Sequence, residues 1–313
     1  MKSRKKINFF IVGVAKSGTS SMHNYLQQHP KIFMSPVKET YFFSKDLRIE
    51  NFKGKIKKNK KVNKKKYFSN SLLPQVQQIF IKNIEDYYQI FREAKNEKIL
   101  GESCPGYLYS QLAAKEIYQY NPKAKIMIML RDPVERAYSN FMMQLENGLL
   151  KTDYFLEEVK KDYNQNDKGW GRSHLFIESG LYYKPVKRYL DLFPQNNVKI
   201  ILFNDFIKKT NLVLSQVCDF LDIEKFNFMT KKAHMKSQKP KFLFLYNQVI
   251  NLAQSANLLK IVPESLRERI KKMFMKEKPK LTEEERKTLR PYFKEDILKL
   301  QNLIGKDLSD WLK

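Results

Sequence analysis

The stretch Phe9–Leu26, FFIVGVAKSGTSSMHNYL, constrains this chain more than any other. An apolar run from Ile7 to Val12 breaks at Gly13. The turn Val14-Ala15-Lys16-Ser17 leads to Gly18, and Met22, Tyr25 and Leu26 then fall on one side of a helical repeat. Strand, tight loop and helix start follow one another. Such a loop turns backbone N–H groups inward at the positive end of a helix, which suits a bound phosphate or sulfate.

Gly13 and Gly18 have the spacing of the two glycines of a Walker A loop, but Thr19 occupies the place of the Walker lysine. The lysine stands inside the loop, at Lys16. A kinase or ATPase needs its lysine on the outer phosphates and a hydroxyl on Mg²⁺. Here the charge is expected to meet a bridging or leaving oxygen nearer the loop. Lys16, Ser17, Gly18, Thr19 and Ser20 are the candidate binding residues. An ordinary glycine turn would account for the two glycines alone; Lys16 and the hydroxyl residues around Gly18 favour anion binding. No metal-ligand set is read anywhere in the chain.

At 313 residues the chain fits one α/β domain, with a helical C-terminal extension over about 242–313. A net charge of +26 attracts polyanions, whether nucleic acid, an anionic membrane surface, acidic polysaccharide or a charged nucleotide; a lysine-biased composition explains it equally well. Cys104 and Cys218 lie far apart without metal-ligand spacing, so a disulfide framework is not expected and a reducing, cytoplasmic setting fits. No stretch is long and apolar enough to span a membrane.

Lys125–Leu130 reads as a central strand covered on both faces, since its apolar residues do not alternate with polar ones. It runs into Arg131-Asp132-Pro133, where Asp132 caps the next helix and Pro133 takes its first position. Arg131 thus falls at the carboxyl end of a central strand, where open α/β sheets bind ligands, and Ser139 stands two turns on. Both can touch one phosphate, although a local pairing of Arg131 with Glu135 is the simpler reading of that arginine alone. Short strands are expected at Lys31–Met34, Ile99–Ser103 and Val198–Phe203. Three- and four-residue apolar steps predict an amphipathic helix through Val76–Phe91, and another spans His174–Phe193. The lysine-rich Lys53–Lys66 reads as a solvated loop, Leu150–Gly171 as an irregular lid, and Lys231–Lys241 as a basic loop. Glu39, amid Tyr41, Phe42 and Phe43, has a partly apolar neighbourhood that would favour proton abstraction.

With RDPVERAYSNF at Arg131–Phe141 joined to the loop at Gly13–Ser20, the chain resembles the sulfotransferases that use 3′-phosphoadenosine 5′-phosphosulfate, in particular the heparan-sulfate and carbohydrate branch and its bacterial relatives. The resemblance implies a P-loop-type central parallel β-sheet flanked by helices. It implies that Lys16 and its loop hold the 5′-phosphosulfate and that Arg131 and Ser139 hold the 3′-phosphate. Lys38-Glu39 before Tyr41-Phe42-Phe43 is similar to the family element whose glutamate is the general base. His234, Lys236, Ser237 and Pro240 fall where the family has a basic loop over the cofactor. Two departures stand out: Ser103 replaces a lysine found after Glu102 in many glycan-modifying members, and Met235 replaces an asparagine beside His234. The implied reaction moves a sulfuryl group to a hydroxyl or amine, on a saccharide, glycan or small molecule, without a metal and with no nucleic-acid partner. A P-loop nucleotide kinase, with Asp132 or Asp205 serving Mg²⁺, and a basic nucleic-acid-binding protein are the alternatives.

Overall fold

The computed structural model describes residues 5–52, 63–230, 238–255 and 274–313. A five-stranded parallel sheet organises them, in the order β2-β5-β1-β6-β7, with β1 Phe9–Gly13, β2 Ile32–Met34, β5 Ile99–Ser103, β6 Lys125–Leu130 and β7 Val198–Leu202. Every residue of β1 and all of β6 beyond Lys125 are buried. The strands feed two cores. Phe10, Val12, Ile126 and Ile128 face the helices Ala113–Tyr120, Pro133–Glu146, Tyr183–Leu192 and Lys294–Ile304. Phe9, Ile11, Met127 and Met129 face helix α1, Thr19–Leu26, and the helix Thr210–Phe220. A strand covered on both sides has no polar face to present, which is why β6 reads as an unbroken apolar run.

Three expected elements differ. Val76–Phe91 is not one helix. Val76–Gln78 forms β4, paired in parallel with β3, Val37–Glu39, and only Ile84–Gln89 is helical. The amides of Val76, Ile79 and Ile81 donate to the carbonyls of Pro36, Glu39 and Thr40 at 2.9, 3.2 and 2.9 Å. This long-range pairing overrides the helical spacing of the side chains. Leu150–Gly171 contains a helix, Phe155–Asn164, anchored by buried Phe155 and Val159. The helix expected over His174–Phe193 starts only at Tyr183.

The C-terminal part is not wholly helical. Gln238–Pro240 (β8) pairs antiparallel with Met275–Glu277 (β9). After β9 comes a capping box, in which Thr282 accepts from the Glu285 amide. Phe293, Ile297, Leu300 and Trp311 then enter the main core. Of the lysine-rich segment, 53–62 lies outside the described residues; Asn63 caps a short helix, Lys64–Phe68, that buries Tyr67.

Candidate active site

The loops that leave the carboxyl ends of β1, β5, β6 and β7 line one cleft of about 1610 Å³. The loop after β1 is held rigidly. Val14 donates its amide to the Met129 carbonyl at 2.7 Å, and the Ser17 hydroxyl lies 2.5 and 2.8 Å from the carbonyls of Val14 and Met129. Ser17, expected among the ligand contacts, is fully buried; its hydroxyl is spent on bracing the loop against β6. Lys16 and Gly18 both adopt left-handed backbone conformations, φ 74° and 86°. At Gly18 a side chain would also crowd the Phe203 ring, at 3.1 Å. Lys16, Gly18, Thr19 and Ser20 line the cleft.

Arg131 and Ser139 line the same cleft as Lys16. Arg131 donates from Nη1 to the Lys16 carbonyl at 3.2 Å, stacks its guanidinium 4.6 Å from the Phe203 ring centre, and pairs with Glu135 at 3.1 Å. The local Glu135 pairing expected of the arginine alone and its approach to the loop are thus both present. Glu135 is shared, because Arg286 pairs with its other oxygen. Asp132 caps the Pro133–Glu146 helix by accepting from the amides of Val134 and Glu135 at 2.8 and 2.9 Å. The Tyr182 hydroxyl donates to the Arg131 carbonyl at 2.9 Å. The start of the helix and the arginine before it are therefore pinned together.

Glu39 ends β3 and lines the same cleft. Its Oε2 accepts from the Tyr41 hydroxyl at 2.9 Å, and its Oε1 from the Gln77 amide at 2.8 Å. The preceding Lys38 reaches Ser20 Oγ at 2.6 Å and so ties β3 to the loop after β1. The carboxyl most altered by burial is Glu102, pushed up to about 7; three hydroxyls, from Thr40, Tyr87 and Tyr107, hydrogen-bond to it. Ser103, the departure noted after Glu102, is fully buried.

The cleft gathers several cations. Lys16, Lys38 and Lys278 are all pushed below the usual lysine range, in each case first by burial. Arg131 and Lys278 further depress Lys16, while Glu146 partly compensates. Sequence reasoning missed Lys278. It follows β9, lines the cleft, and holds its ammonium 4.6 Å from the centre of the Tyr138 ring. Nothing local marks it, because β9 is placed by its pairing with β8. Gln77 was likewise hidden by the helix expected over Val76–Phe91. Trp170, read as part of an irregular lid, packs on Tyr41 and Tyr109 at the cleft wall. His234 and Lys236 lie outside the described residues.

Sheet, loop and cations together define an α/β protein with a cation-lined cleft at the carboxyl edge of a parallel sheet, and Glu39 lines the same cleft. The chain belongs to the sulfotransferase family, whose model matches residues 8–227. The solved sulfotransferase of Alicyclobacillus acidocaldarius has the same fold, with a TM-score of 0.66 and 27% identity, covering 99% of this chain and 100% of that one. Curated relatives are more distant. The membrane-associated sulfotransferase kil1 of Dictyostelium discoideum is 22% identical over 298 residues, 71% of this chain and 57% of its own. Heparan sulfate glucosamine 3-O-sulfotransferase 5 of Mus musculus is 24% identical over 213 residues, 68% and 52%. Carbohydrate sulfotransferase 15 of Rattus norvegicus is 20% identical over 270 residues, 74% and 47%. The chain spans about half the length of these curated relatives.

Proposed function

We propose that this sulfotransferase takes its sulfuryl group from 3′-phosphoadenosine 5′-phosphosulfate and delivers it to a hydroxyl or amine of a saccharide or other small acceptor, with Glu39 as general base. The observation that carries the reading is the shared cleft. Lys16 and Arg131 meet through the Lys16 carbonyl, and Ser139 and Glu39 line the same cleft. A donor with charge at both ends of its ribose needs two cationic sites in one cavity, and a base positioned on the acceptor side. Sulfuryl transfer is an in-line displacement like phosphoryl transfer, so positioning and charge stabilisation carry most of the catalysis. Lys16 and the loop around Gly18 would meet the charge that develops on the departing phosphate. Arg131 and Ser139 would hold the 3′-phosphate, and Glu39 would take the acceptor proton. The likeness to a heparan sulfate and a carbohydrate sulfotransferase supports a saccharide acceptor.

Isothermal titration with the spent donor, 3′-phosphoadenosine 5′-phosphate, tests the reading. Micromolar binding is expected; silence at millimolar ligand would remove the donor assignment. Lys16→Ala should lower turnover at least about 100-fold. Glu39→Gln should lower turnover comparably and leave binding of the spent donor intact.

A further inference from the structure

Both oxygens of the Glu39 carboxylate are occupied, by very different partners. Tyr41 is buried, and Gln77 stands on the exposed side of β4. The Tyr41 phenol is fixed from every side. Its ring stacks on Phe80 at 4.7 Å with planes 15° apart. Gly106 approaches so closely that a Cβ there would lie 2.6 Å from Tyr41 Cε1. The Trp170 ring lies against the phenol, 6.1 Å between ring centres. The phenol donates its proton to Glu39 Oε2 at 2.9 Å. Burial and the Glu39 charge push the phenol well above its usual range, so it stays a donor at any working pH. The backbone of Tyr41 is held at φ 53°, a conformation costly for a residue with a side chain and common at functional sites.

We propose that Tyr41 is a positioning residue that locks the Glu39 carboxylate through Oε2 and so commits Oε1 to the acceptor, with the Gln77 amide as a removable cap on that oxygen. The assignment rests on Glu39 being the base. In the transfer step the acceptor oxygen bonds to sulfur as the sulfur–oxygen bond to the 5′-phosphate breaks. The electron pair of that bond leaves with the phosphate, and the acceptor proton passes to Oε1. A carboxylate free to rotate would spend part of its time with neither oxygen on the acceptor. The other titratable groups around the pair are Lys38 on the same strand, Glu102 at the end of β5, and Cys104 just after it. The Cys104 thiol is pushed well up by burial and stays neutral.

The test uses the full chain and hydrolysis of the phosphosulfate donor, with water as acceptor, followed by sulfate release over a range of donor concentrations. Tyr41→Phe keeps the ring stack and removes only the hydroxyl. Its kcat should fall about tenfold while the KM for the donor stays unchanged, a split that a merely structural role would not give. Binding of 3′-phosphoadenosine 5′-phosphate should be unchanged, which also shows that the variant is folded. Gln77→Ala should act in the opposite sense and raise hydrolysis a few-fold by uncapping Oε1. If Glu39→Gln hydrolyses the donor at the wild-type rate, the general-base reading falls and this assignment with it. If Glu39→Gln is inactive while Tyr41→Phe keeps the wild-type kcat and KM, only the role of Tyr41 is overturned. Changes of the same sign in Tyr41→Phe and Gln77→Ala would overturn the division of labour between the two oxygens.

Discussion

Glu102 and His23 are buried on different elements and pull the stability of the protein in opposite directions with pH. Burial raises the Glu102 carboxyl from its ordinary 4.5 to about 7 and lowers the His23 imidazole from 6.5 to about 4. Between 4.5 and 7 the folded state keeps the Glu102 proton that the unfolded chain has released, so this group makes stability fall as pH rises. Between 6.5 and 4 the unfolded chain takes up the His23 proton that the folded state refuses, so this group makes stability fall as pH drops. Over the overlap, about 4.5 to 6.5, the two slopes oppose each other. Glu102→Gln removes the first and uncovers the second. Urea midpoints of the variant should therefore fall more steeply than those of the wild type as pH is lowered from 7 to 4.5. The divergence should be on the order of 3 kcal/mol over the window. Parallel curves would show that Glu102 does not titrate there.

At the scale of the element, the helix Pro133–Glu146 depends on one side chain. Asp132 satisfies two of its orphan amides, and the helix carries Ser139 into the cleft. Asp132→Ala should cost about 1 kcal/mol, readable as a lower urea midpoint, and Asp132→Asn should recover most of it. A loss in Asp132→Asn as large as in Asp132→Ala would mean that the cap is not what holds the helix. This element was legible from Lys125-to-Phe141 because its signals are local: an unbroken apolar strand, an Asp cap, a proline at the first turn. The loop at Gly13–Ser20 was legible for the same reason. β4 was not, because its apolar residues fit a helical repeat as well as a strand, and its pairing with Pro36–Thr40 is formed across a long interval of sequence. Residues that depend on such pairings were invisible with it. Gln77 reaches Glu39 only because β4 lies beside β3, and Lys278 reaches the cleft only because β9 lies beside β8. Ser17 shows the converse: its place in the loop suggested a ligand contact, and the structure shows its hydroxyl holding the loop to β6.

Across the whole molecule, the cleft draws its cations from distant parts of the chain, and they repel one another. Lys16 comes from the loop after β1, Arg131 from the end of β6 and Lys278 from the segment after β9, and the charges of Arg131 and Lys278 both depress the Lys16 ammonium. Cations brought together on half-buried ground cost stability in the free protein, and an anion bound among them reverses the sign of that cost. Removing one of them should therefore separate stability from binding. Lys278→Ala should leave the melting temperature of the free protein unchanged or slightly higher, since a half-buried positive charge and its repulsion with Lys16 and Arg131 are gone. The same variant should bind 3′-phosphoadenosine 5′-phosphate about tenfold more weakly, and the stabilisation conferred by saturating ligand should shrink accordingly. The loss should narrow as salt is raised, because the charge interaction is screened. Thermal melts with and without ligand at low and high salt read all three effects. A lower melting temperature in the free variant together with wild-type affinity would make Lys278 a packing residue on the Tyr138 ring. The C-terminal segment, beyond the residues that the family model matches, would then contribute to the core through Phe293, Ile297 and Leu300 without this charge in the cleft.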